Sequence, residues 1–277
     1  MSYDSEISRS QPTAILFIVD QSASMSDRMP SERSKADFVS DVLNRSLVNL
    51  ITRCTKGDGT RDYFDIGVIG YGHTGARNGF QGSLANSVLN PISAVEASPL
   101  RVEDRMKKVD DGAGGLVEIA TKFPVWFESN ANGGTPMCEA LTLCAEELVN
   151  WCDSHPESYP PTVIHITDGE STDGSPEEIA NALKQISTNN GQTLLLNLHV
   201  SSSAAKQREF PDSDIDLPDS YSKMLFKMSS MLPPHLVSAA KEKGYSVSAE
   251  SKGFIFNADA SAIVDFFDIG TRTTQLR

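Results

Sequence analysis

Short, nearly continuous apolar segments recur along the chain. They occupy residues 13–20, 64–71, 162–168, 193–200 and 253–256. Segments of this kind are typical of strands that are buried on both faces, as in a parallel sheet covered by helices. We therefore predict that they form the core strands of one sheet.

Helical periodicity separates the predicted strands. Apolar residues recur at helical spacing within residues 34–53, 136–152, 176–187, 221–231, 235–243 and 260–270. Pro136 and Pro176 stand at a first helical position, where a missing N–H costs no hydrogen bond, and Ser175 is a typical cap. Residues 72–132 and 201–220 show no sustained period. We expect an edge strand or hairpin with surface loops in the first and a polar loop in the second.

The alternation of strands and helices predicts an α/β fold. Its sheet is doubly wound and mostly parallel, with helices on both faces. No Pro-rich or Gly-rich linker divides the sequence. We expect a single domain over residues 13–277, with insertions at about 72–132 and 201–220, preceded by a flexible N-terminus at residues 1–12.

Composition narrows the function classes. The net charge of −13 argues against a broad nucleic-acid surface. Basic residues gather modestly within 101–108, and a solvated helix face explains them more simply than a binding patch. No apolar run is long enough to cross a membrane. The first residues lack the basic start and apolar stretch of a secretory signal, so we expect a cytoplasmic protein.

The cysteines indicate neither a zinc site nor a disulfide framework. Cys54, Cys138, Cys144 and Cys152 include no CxxC pair. Three of them fall within one predicted helix, where disulfide geometry is poor. We expect reduced and mostly buried side chains.

Three separated segments carry the candidate chemistry. The first strand ends in Asp20-Gln-Ser-Ala-Ser24, Thr135 precedes a predicted helix, and a later core strand ends in Thr167-Asp168-Gly169. Ligand sites in open α/β sheets lie outside the carboxyl ends of the strands, where the connections diverge. We therefore expect these segments to meet at one edge of the sheet.

The residue types at this edge favour a divalent cation. Hydroxyls and carboxylates are hard oxygen ligands, suited to Mg²⁺, Mn²⁺ or Ca²⁺. Asp20 and Asp168 compensate the charge of the ion, whereas the neutral hydroxyls of Ser22, Ser24 and Thr135 leave it strongly electrophilic. Taken singly, the acids and serines are equally typical of turns, and Thr135 before Pro136 is a plausible helix cap.

The combined pattern resembles the von Willebrand factor A domain and its metal-ion-dependent adhesion site. Asp20-x-Ser-x-Ser24, a later Gly-Gly-Thr135 and Thr-Asp168-Gly stand in the same order as in that family. The resemblance extends over residues 13–270 and implies a Rossmann-like, six-stranded sheet with one antiparallel edge strand.

The resemblance also implies roles for individual residues. Ser22, Ser24 and Thr135 would ligate Mg²⁺ directly, and Asp20 and Asp168 would act from just behind them, often through water. A Glu or Asp of a partner protein would complete the coordination. The last helix, at residues 260–270, would be a candidate lever that responds to this binding.

The absence of a secretion signal and the two long insertions make the chain more similar to intracellular bacterial members of the family. Some of those are encoded beside kinases, phosphatases or AAA ATPases. We therefore expect a non-enzymatic adaptor or scaffold that binds an acidic protein partner, with no nucleic acid and no membrane involved.

Two other functions remain open at this stage. One is a Mg²⁺-dependent phosphoryl-transfer enzyme, since Asp20 stands where some α/β phosphatases carry their nucleophile. Such enzymes need a second acid two residues later, where this chain has Ser22, and no Lys or Arg in the motif could hold a phosphate. The other is a scaffold whose metal site is purely structural.

Overall fold

A computed structural model describes residues 3, 5–29, 32–110, 115–200, 205–272 and 276. The strands within these residues, in chain order, are β1 (Thr13–Asp20), β2 (Thr55–Lys56), β3 (Gly59–Thr60), β4 (Phe64–Gly72), β5 (Gly75–Asn78), β6 (Leu89–Pro91), β7 (Arg101–Asp110), β8 (Leu116–Val125), β9 (Thr162–Thr167), β10 (Ser187–Thr188), β11 (Gly191–Gln192), β12 (Leu194–Val200), β13 (Arg208–Glu209) and β14 (Phe254–Ala258). The helices are α1 (Lys35–Cys54), α2 (Ile92–Ala97), α3 (Met137–Ser154), α4 (Glu177–Leu183), α5 (Ser220–Met228), α6 (Pro234–Glu242) and α7 (Ala260–Gly270). Ala23–Ser26 and Gly82–Asn86 form short 3₁₀ turns.

One large sheet organises the molecule. Its parallel strands lie in the order β14-β12-β9-β1-β4. The strands β5 and β6 pair antiparallel with β4, and β13 pairs antiparallel with β14. The predicted α/β fold, with a doubly wound and mostly parallel sheet, is confirmed.

The family resemblance implies six strands, one of them an antiparallel edge strand. The described sheet has eight strands instead. β5 lies opposite residues 69–72 of β4 and β6 opposite residues 65–67, so the two divide one antiparallel edge between them. The segment between β5 and β6 contains a 3₁₀ turn, and the Asn78 side chain donates hydrogen bonds to the carbonyls of Leu84 and Ser87 in it, at 3.2 and 2.7 Å. At the other edge of the sheet, the two-residue strand β13 is the second strand beyond the implied six.

Strand β1 appears as a continuous apolar run because both of its faces are buried. Side chains alternate between the faces of a strand, and here Ile15 and Phe17 belong to one core while Leu16 and Ile18 belong to the other. In the first core the Phe17 ring stacks on Phe267 of α7, with centroids 5.5 Å apart. The first core also contains the apolar face of α1, and the second contains those of α3 and α5.

Two helices start one residue after the predicted position. α3 begins at Met137 and α4 at Glu177. The residues at their cap positions are Pro136 and Pro176, and neither helix has a side-chain hydrogen bond from its cap residue. Thr135 and Ser175 therefore do not act as the predicted caps. α4 also ends at Leu183 rather than near 187, because the chain then turns into the hairpin of β10 and β11.

The basic residues within 101–108 lie on a strand, so the predicted helix face was wrong. β7 pairs along its whole length with β8 in a long hairpin. Charged residues such as Arg101 and Arg105 do not form a free basic patch, because Arg101 pairs with Glu103 and Glu128, and Arg105 pairs with Glu103 and Asp41. The hairpin agrees with the expectation for residues 72–132. It leads into Trp126 and Phe127, which are buried in the first core.

The cysteine prediction is confirmed. All four cysteines are free, and Cys54, Cys144 and Cys152 are buried. Burial raises the pKa of the Cys152 thiol to about 11, so this side chain stays a neutral thiol at physiological pH. Among the described helices, none combines the length and hydropathy needed to cross a bilayer.

The domain boundaries stay a prediction. At the N-terminus, Ile7 is buried in the first core and forms a bridge with Leu276. The second proposed insertion begins at residues 201–204, which lie outside the described residues, and continues through β13 to α5.

Candidate metal centre

The carboxyl end of β1 lies at a topological switch point. The chain leaves β1 through α1 to reach β4 on one side, whereas α3 leads into β9 on the other side. Since α1 packs in the first core and α3 in the second, the two connections diverge to opposite faces. A crevice at this position is the usual ligand site of an open α/β sheet.

Asp20, the last residue of β1, is held by two hydrogen bonds. Its Oδ1 accepts from the backbone N–H of Ser22 and its Oδ2 from the hydroxyl of Thr167, each at 2.8 Å. Only 1% of the residue is exposed. Burial raises the pKa of this carboxyl to about 6, although the bonds from Ser22 and Thr167 act in the opposite direction. A nearby cation would favour the charged form.

Ser22, Ser24 and Asp168 form a connected group. The Ser22 and Ser24 hydroxyl oxygens are 3.1 Å apart, and the Ser24 hydroxyl donates to Asp168 Oδ1 at 2.7 Å. Ser22 ends an extended segment and Ser24 lies in the 3₁₀ turn, which brings their side chains to the same side. Residues far apart in the sequence thus meet through the adjacent ends of β1 and β9.

The loop before α3 brings Thr135 to the same place. The backbone of Asn132 donates to Gln21 O at 2.7 Å, and Ala23 donates to Gly133 O at 3.0 Å. Gly133 has a φ of +81°, and a Cβ atom there would lie 2.4 Å from His73 Cα, so a larger residue could not take this path.

The Thr135 hydroxyl and the Ser24 hydroxyl lie beside the same point next to Gly169. A Cβ atom placed on Gly169 would lie 3.8 Å from both Thr135 Oγ1 and Ser24 Oγ, so these oxygens are within twice that distance of each other. Thr135 is 6% exposed. Its backbone is fixed by mutual hydrogen bonds with Thr172, at 2.9 Å, but its hydroxyl forms no hydrogen bond with any described residue.

Asp173, and not Thr135, caps the start of α3. The two oxygens of Asp173 accept from the backbone N–H groups of Cys138 and Glu139, at 3.0 and 2.9 Å. Burial acts to raise the pKa of this carboxyl, but the backbone hydrogen bonds prevail and lower it. Asp173 therefore caps α3 from a distant segment. The sequence pattern did not identify this capping function, because it depends on a contact between distant segments.

The donor set fits a hard divalent cation. The structure brings together Asp20, Ser22, Ser24, Thr135 and Asp168, all of which offer oxygen atoms, and the Thr135 oxygen has no competing partner among the described residues. Oxygen donors of this kind suit Mg²⁺, Mn²⁺ or Ca²⁺. No group of three or more His, Cys, Asp or Glu side chains within the described residues could hold a metal. Metal binding by the mixed hydroxyl and carboxylate set stays a prediction.

Lys35 adds a cation that sequence reasoning missed. Its Nζ lies 2.8 Å from Asp168 Oδ2 and 3.3 Å from Asp27 Oδ2, and the lysine side chain is only 5% exposed. The sequence motif itself contains no Lys or Arg, but the fold brings Lys35 next to it, so the expectation that no basic residue stands at the site was wrong. Ser34 caps α1 through a bond from the N–H of Asp37, so Lys35 is the first helical residue. The signal was available, because a helix that follows a parallel strand starts near that strand's carboxyl end.

The hydroxyls of two tyrosines form hydrogen bonds with residues of β9 next to the site. The Tyr221 hydroxyl of α5 lies 3.3 Å from the Thr167 hydroxyl that holds Asp20. Tyr71 of β4 bonds to His165, at 2.8 Å, and His165 in turn bonds to Asn197, at 2.8 Å. His165 is thus fully buried with a hydrogen-bond partner on each ring nitrogen, and the buried His199 accepts from the N–H of Asn257 at 3.2 Å.

The sequence matches no protein-family model and no curated protein. Three solved structures are similar in fold. Manganese-loaded TRAP protein of Plasmodium vivax is 15% identical with a TM-score of 0.33, over 68% of this chain and 57% of that chain. The vWF domain of the type V pili tip protein Mfa5 from Porphyromonas gingivalis is 13% identical with a TM-score of 0.30, over 58% and 39%. A structure of three N-terminal domains of Mfa5 is 12% identical with a TM-score of 0.32, over 58% and 20%. This chain thus covers less than two thirds of each, and identities of this size concern the fold alone.

Proposed function

We propose that this chain is a von Willebrand factor A type binding module, which holds a divalent cation at the carboxyl edge of its sheet and binds an acidic residue of a partner protein without catalysing a reaction. The observation that carries the proposal is the convergence of five oxygen-bearing side chains from three distant segments, one of them the Thr135 hydroxyl, which no described residue engages.

Each residue has a distinct part in the proposed binding. Ser22, Ser24 and Thr135 would hold Mg²⁺, or Mn²⁺ or Ca²⁺, through neutral hydroxyls, while Asp20 and Asp168 supply negative charge beside them. The ion would supply a strong attraction for an incoming carboxylate. The hydrogen bonds from Ser22 and Thr167 keep Asp20 in place before any ion arrives, so little reorganisation is needed on binding.

A polar groove beside the site fits an acidic partner. It has a volume of about 410 Å³, and its lining includes Gln21, Arg77 and Glu128. Arg77 is exposed, and no described residue forms an ion pair with it. It pairs across β4 with Gly70, which pairs with Val19 of β1. Two strand spacings, about 10 Å, therefore separate its backbone from the site. A second acid on the partner could reach Arg77 while the first binds the cation.

The cellular setting follows from the resemblance of the motif. In the proposal the chain acts in the bacterial cytoplasm as an adaptor or scaffold, for a partner such as a kinase, a phosphatase or an AAA ATPase. The support for this setting is the length of the segments at residues 72–132 and 201–220, by which the chain resembles intracellular bacterial members of the family.

Metal-dependent capture of a carboxylate tests the function. The full chain is mixed with a pool of peptides that each carry a central Glu, and with a matched pool that carries Gln, in Mg²⁺ or in EDTA. We expect the Glu pool alone to bind, only in Mg²⁺, and Thr135→Ala to abolish binding. Thr52→Ala is the matched control, because the Thr52 hydroxyl bonds only to Val48 O on the exposed side of α1. Equal capture of both pools, or capture that survives EDTA, would contradict the proposal.

Lys35 bears on the phosphoryl-transfer alternative. A lysine does stand at the site, which removes one objection to an enzyme. However, its ammonium is buried and bonded to Asp168 and Asp27, so it does not face an incoming phosphate. The second objection stays, since Ser22 occupies the place of the required acid.

Mg²⁺-dependent hydrolysis of a phosphomonoester by the wild-type chain, lost in Asp20→Asn, would favour the enzyme. A rise in melting temperature with Mg²⁺ but no peptide capture would favour a structural metal.

A further inference from the structure

Lys35 and Asp168 form a buried ion pair at the centre of the proposed site. The Asp168 side chain is 0% exposed and the Lys35 side chain 5% exposed. Asp168 is shared between two donors, because its Oδ1 accepts from Ser24 and its Oδ2 from Lys35. The ammonium is thus separated from the serine hydroxyls by a single carboxylate.

The position of Lys35 is fixed by the fold and not by the side chain alone. Its backbone N–H donates to Asp27 O at 2.9 Å, which brings the start of α1 back beside the 3₁₀ turn that carries Ser24. The second acid in contact with the ammonium, Asp27, has a side chain that is 60% exposed, so water screens its charge. Asp168 therefore carries most of the interaction with Lys35.

Lys35 changes the charge balance of the site. Asp20 and Asp168 together would neutralise a divalent ion completely. With the Lys35 ammonium included, the same set leaves one positive charge after the ion has bound. Like charges this close repel strongly in a buried setting, where the effective dielectric constant is low. A metal ion alone is disfavoured by that repulsion, whereas a metal ion together with an outside carboxylate is not.

We propose that Lys35 is a built-in countercation that couples the two binding events: it weakens the site for the metal alone and strengthens the metal-loaded site for a carboxylate. The inference rests on the proposed metal-dependent function and assigns its regulation. Because coupling between two ligands is reciprocal, a carboxylate must tighten metal binding by the same factor as the metal tightens carboxylate binding. The chain would then hold its metal firmly only when an acidic partner is present.

A purely structural Lys35 predicts the opposite result. If the lysine served only to orient Asp168, its removal would loosen that carboxylate and weaken metal binding. If it acts as a countercation, its removal leaves a more negative site and tightens metal binding. The two roles therefore differ in the sign of one measured change.

The experiment is a calorimetric titration of Mn²⁺ into the full chain, with and without acetate as the carboxylate probe. We expect Lys35→Met to bind Mn²⁺ on the order of tenfold more tightly than wild type in the absence of acetate. We also expect acetate to enhance Mn²⁺ binding less in the variant than in wild type. Lys35→Arg keeps the positive charge and should resemble wild type.

Lys252→Met is the matched control. Lys252 is also half-buried, with its ammonium 4.5 Å from the Phe226 ring, but it lies at the amino end of β14, away from the site. Its removal should leave Mn²⁺ affinity unchanged. Lys35→Gln serves as a second variant with the same expectation if the Met variant does not fold.

The outcomes separate the two proposals. Binding of Mn²⁺ by wild type, together with equal or weaker binding by Lys35→Met and Lys35→Gln, overturns the countercation and leaves the metal module standing. Binding by the variants but not by wild type, even with acetate present, supports Lys35 as the opposing charge and overturns metal-dependent binding in the natural chain. No binding by any of them overturns both.

Discussion

The Asp20 carboxyl combines burial with a ready set of hydrogen bonds. It is nearly inaccessible to water, and its pKa is raised to about 6 because burial outweighs the bonds from Ser22 and Thr167. A carboxylate in such a place is costly unless a positive charge lies near it. Lys35 meets Asp168 and not Asp20. Asp20 is therefore the residue whose environment most clearly favours an additional cation.

His165 lies in β9, one of the strands that end at the site. Its pKa is lowered, whereas that of Asp20 is raised. Its ring is fully buried between the Tyr71 hydroxyl and the Asn197 side chain, and burial lowers its pKa to about 4. An unfolded histidine has a pKa of about 6.5. Between these values the unfolded chain binds more protons than the folded chain. The free energy of unfolding therefore falls as the pH drops through this window.

We expect His165→Gln to reduce that pH dependence. Between about pH 7 and about pH 5, wild type should lose about 2 kcal/mol of unfolding free energy through His165 that the variant does not lose. Denaturant unfolding at both pH values measures the difference. His199, whose pKa burial also lowers to about 4, contributes equally to both proteins. His73→Gln, at an exposed position, provides the control for replacing a histidine by glutamine. Identical slopes for wild type and His165→Gln would refute this explanation.

The candidate site residues could be predicted from sequence because their chemistry is local. Asp20, Ser22 and Ser24 stand together after an apolar run, and Asp168 follows another, so strand ends alone place them. Lys35 escaped notice because a charged residue at a helix start is usually solvated, and only the return of the chain to Asp27 buries it. The capping function of Asp173 depends on a contact between distant segments, which no local pattern contains.

At the scale of elements, the β7–β8 hairpin is held against α1 by one acid. Asp41 of α1 pairs with Arg105 of β7 as well as with Arg33 and Arg45, and its side chain is only 7% exposed. Burial acts to raise the pKa of Asp41, but the bond from Arg105 and the surrounding arginines lower it overall. The Arg105 guanidinium also lies 3.7 Å from the centroid of the Phe123 ring, which joins the two strands on that face.

We expect Asp41→Asn to loosen the hairpin. Loss of the charge should lower the free energy of unfolding by about 1–2 kcal/mol, because Arg105 is partly exposed and water recovers some of the interaction. Hydrogen exchange of residues 101–106 and 117–125 should accelerate. Asp104→Asn is the control, since Asp104 and its partner Lys122 are both exposed. Unchanged exchange in the hairpin of the Asp41 variant would show that other contacts anchor it.

Long periodic elements were predictable, and a hairpin was expected within residues 72–132, but its strand β7 was not recognised. The apolar faces of α1, α3 and α7 dominate their sequences, and the predicted ranges agree with the structure to within a few residues. Thr135 was a plausible cap in sequence, but Asp173 caps α3 from a distant segment instead. Residues 101–108 were assigned to a helix face because a segment rich in charged residues shows no clear hydrophobic period, either of a helix or of a strand. The strand that they pair with, β8, comes later in the sequence.

At the scale of the molecule, the order of the sheet determines where the site lies. β1 lies between β4 and β9, and α1 and α3 leave its end toward opposite faces. This arrangement follows from strands that are buried on both faces, which is why the fold class could be predicted. The extra antiparallel strands could not, because segments as short as β6 and β13 have no measurable period. The role of α7 as a lever stays a prediction.

The central claim is that the ends of β1 and β9 and the loop before α3 together hold one divalent cation. Crystals of the full chain grown with Mn²⁺ test it most directly, through anomalous diffraction recorded at the manganese absorption edge. We predict a single strong peak within coordination distance of the hydroxyls of Ser22, Ser24 and Thr135, and its disappearance in crystals of Thr135→Ala. A well-ordered wild-type site without that peak, with the Lys35 ammonium still bonded to Asp168, would contradict the account.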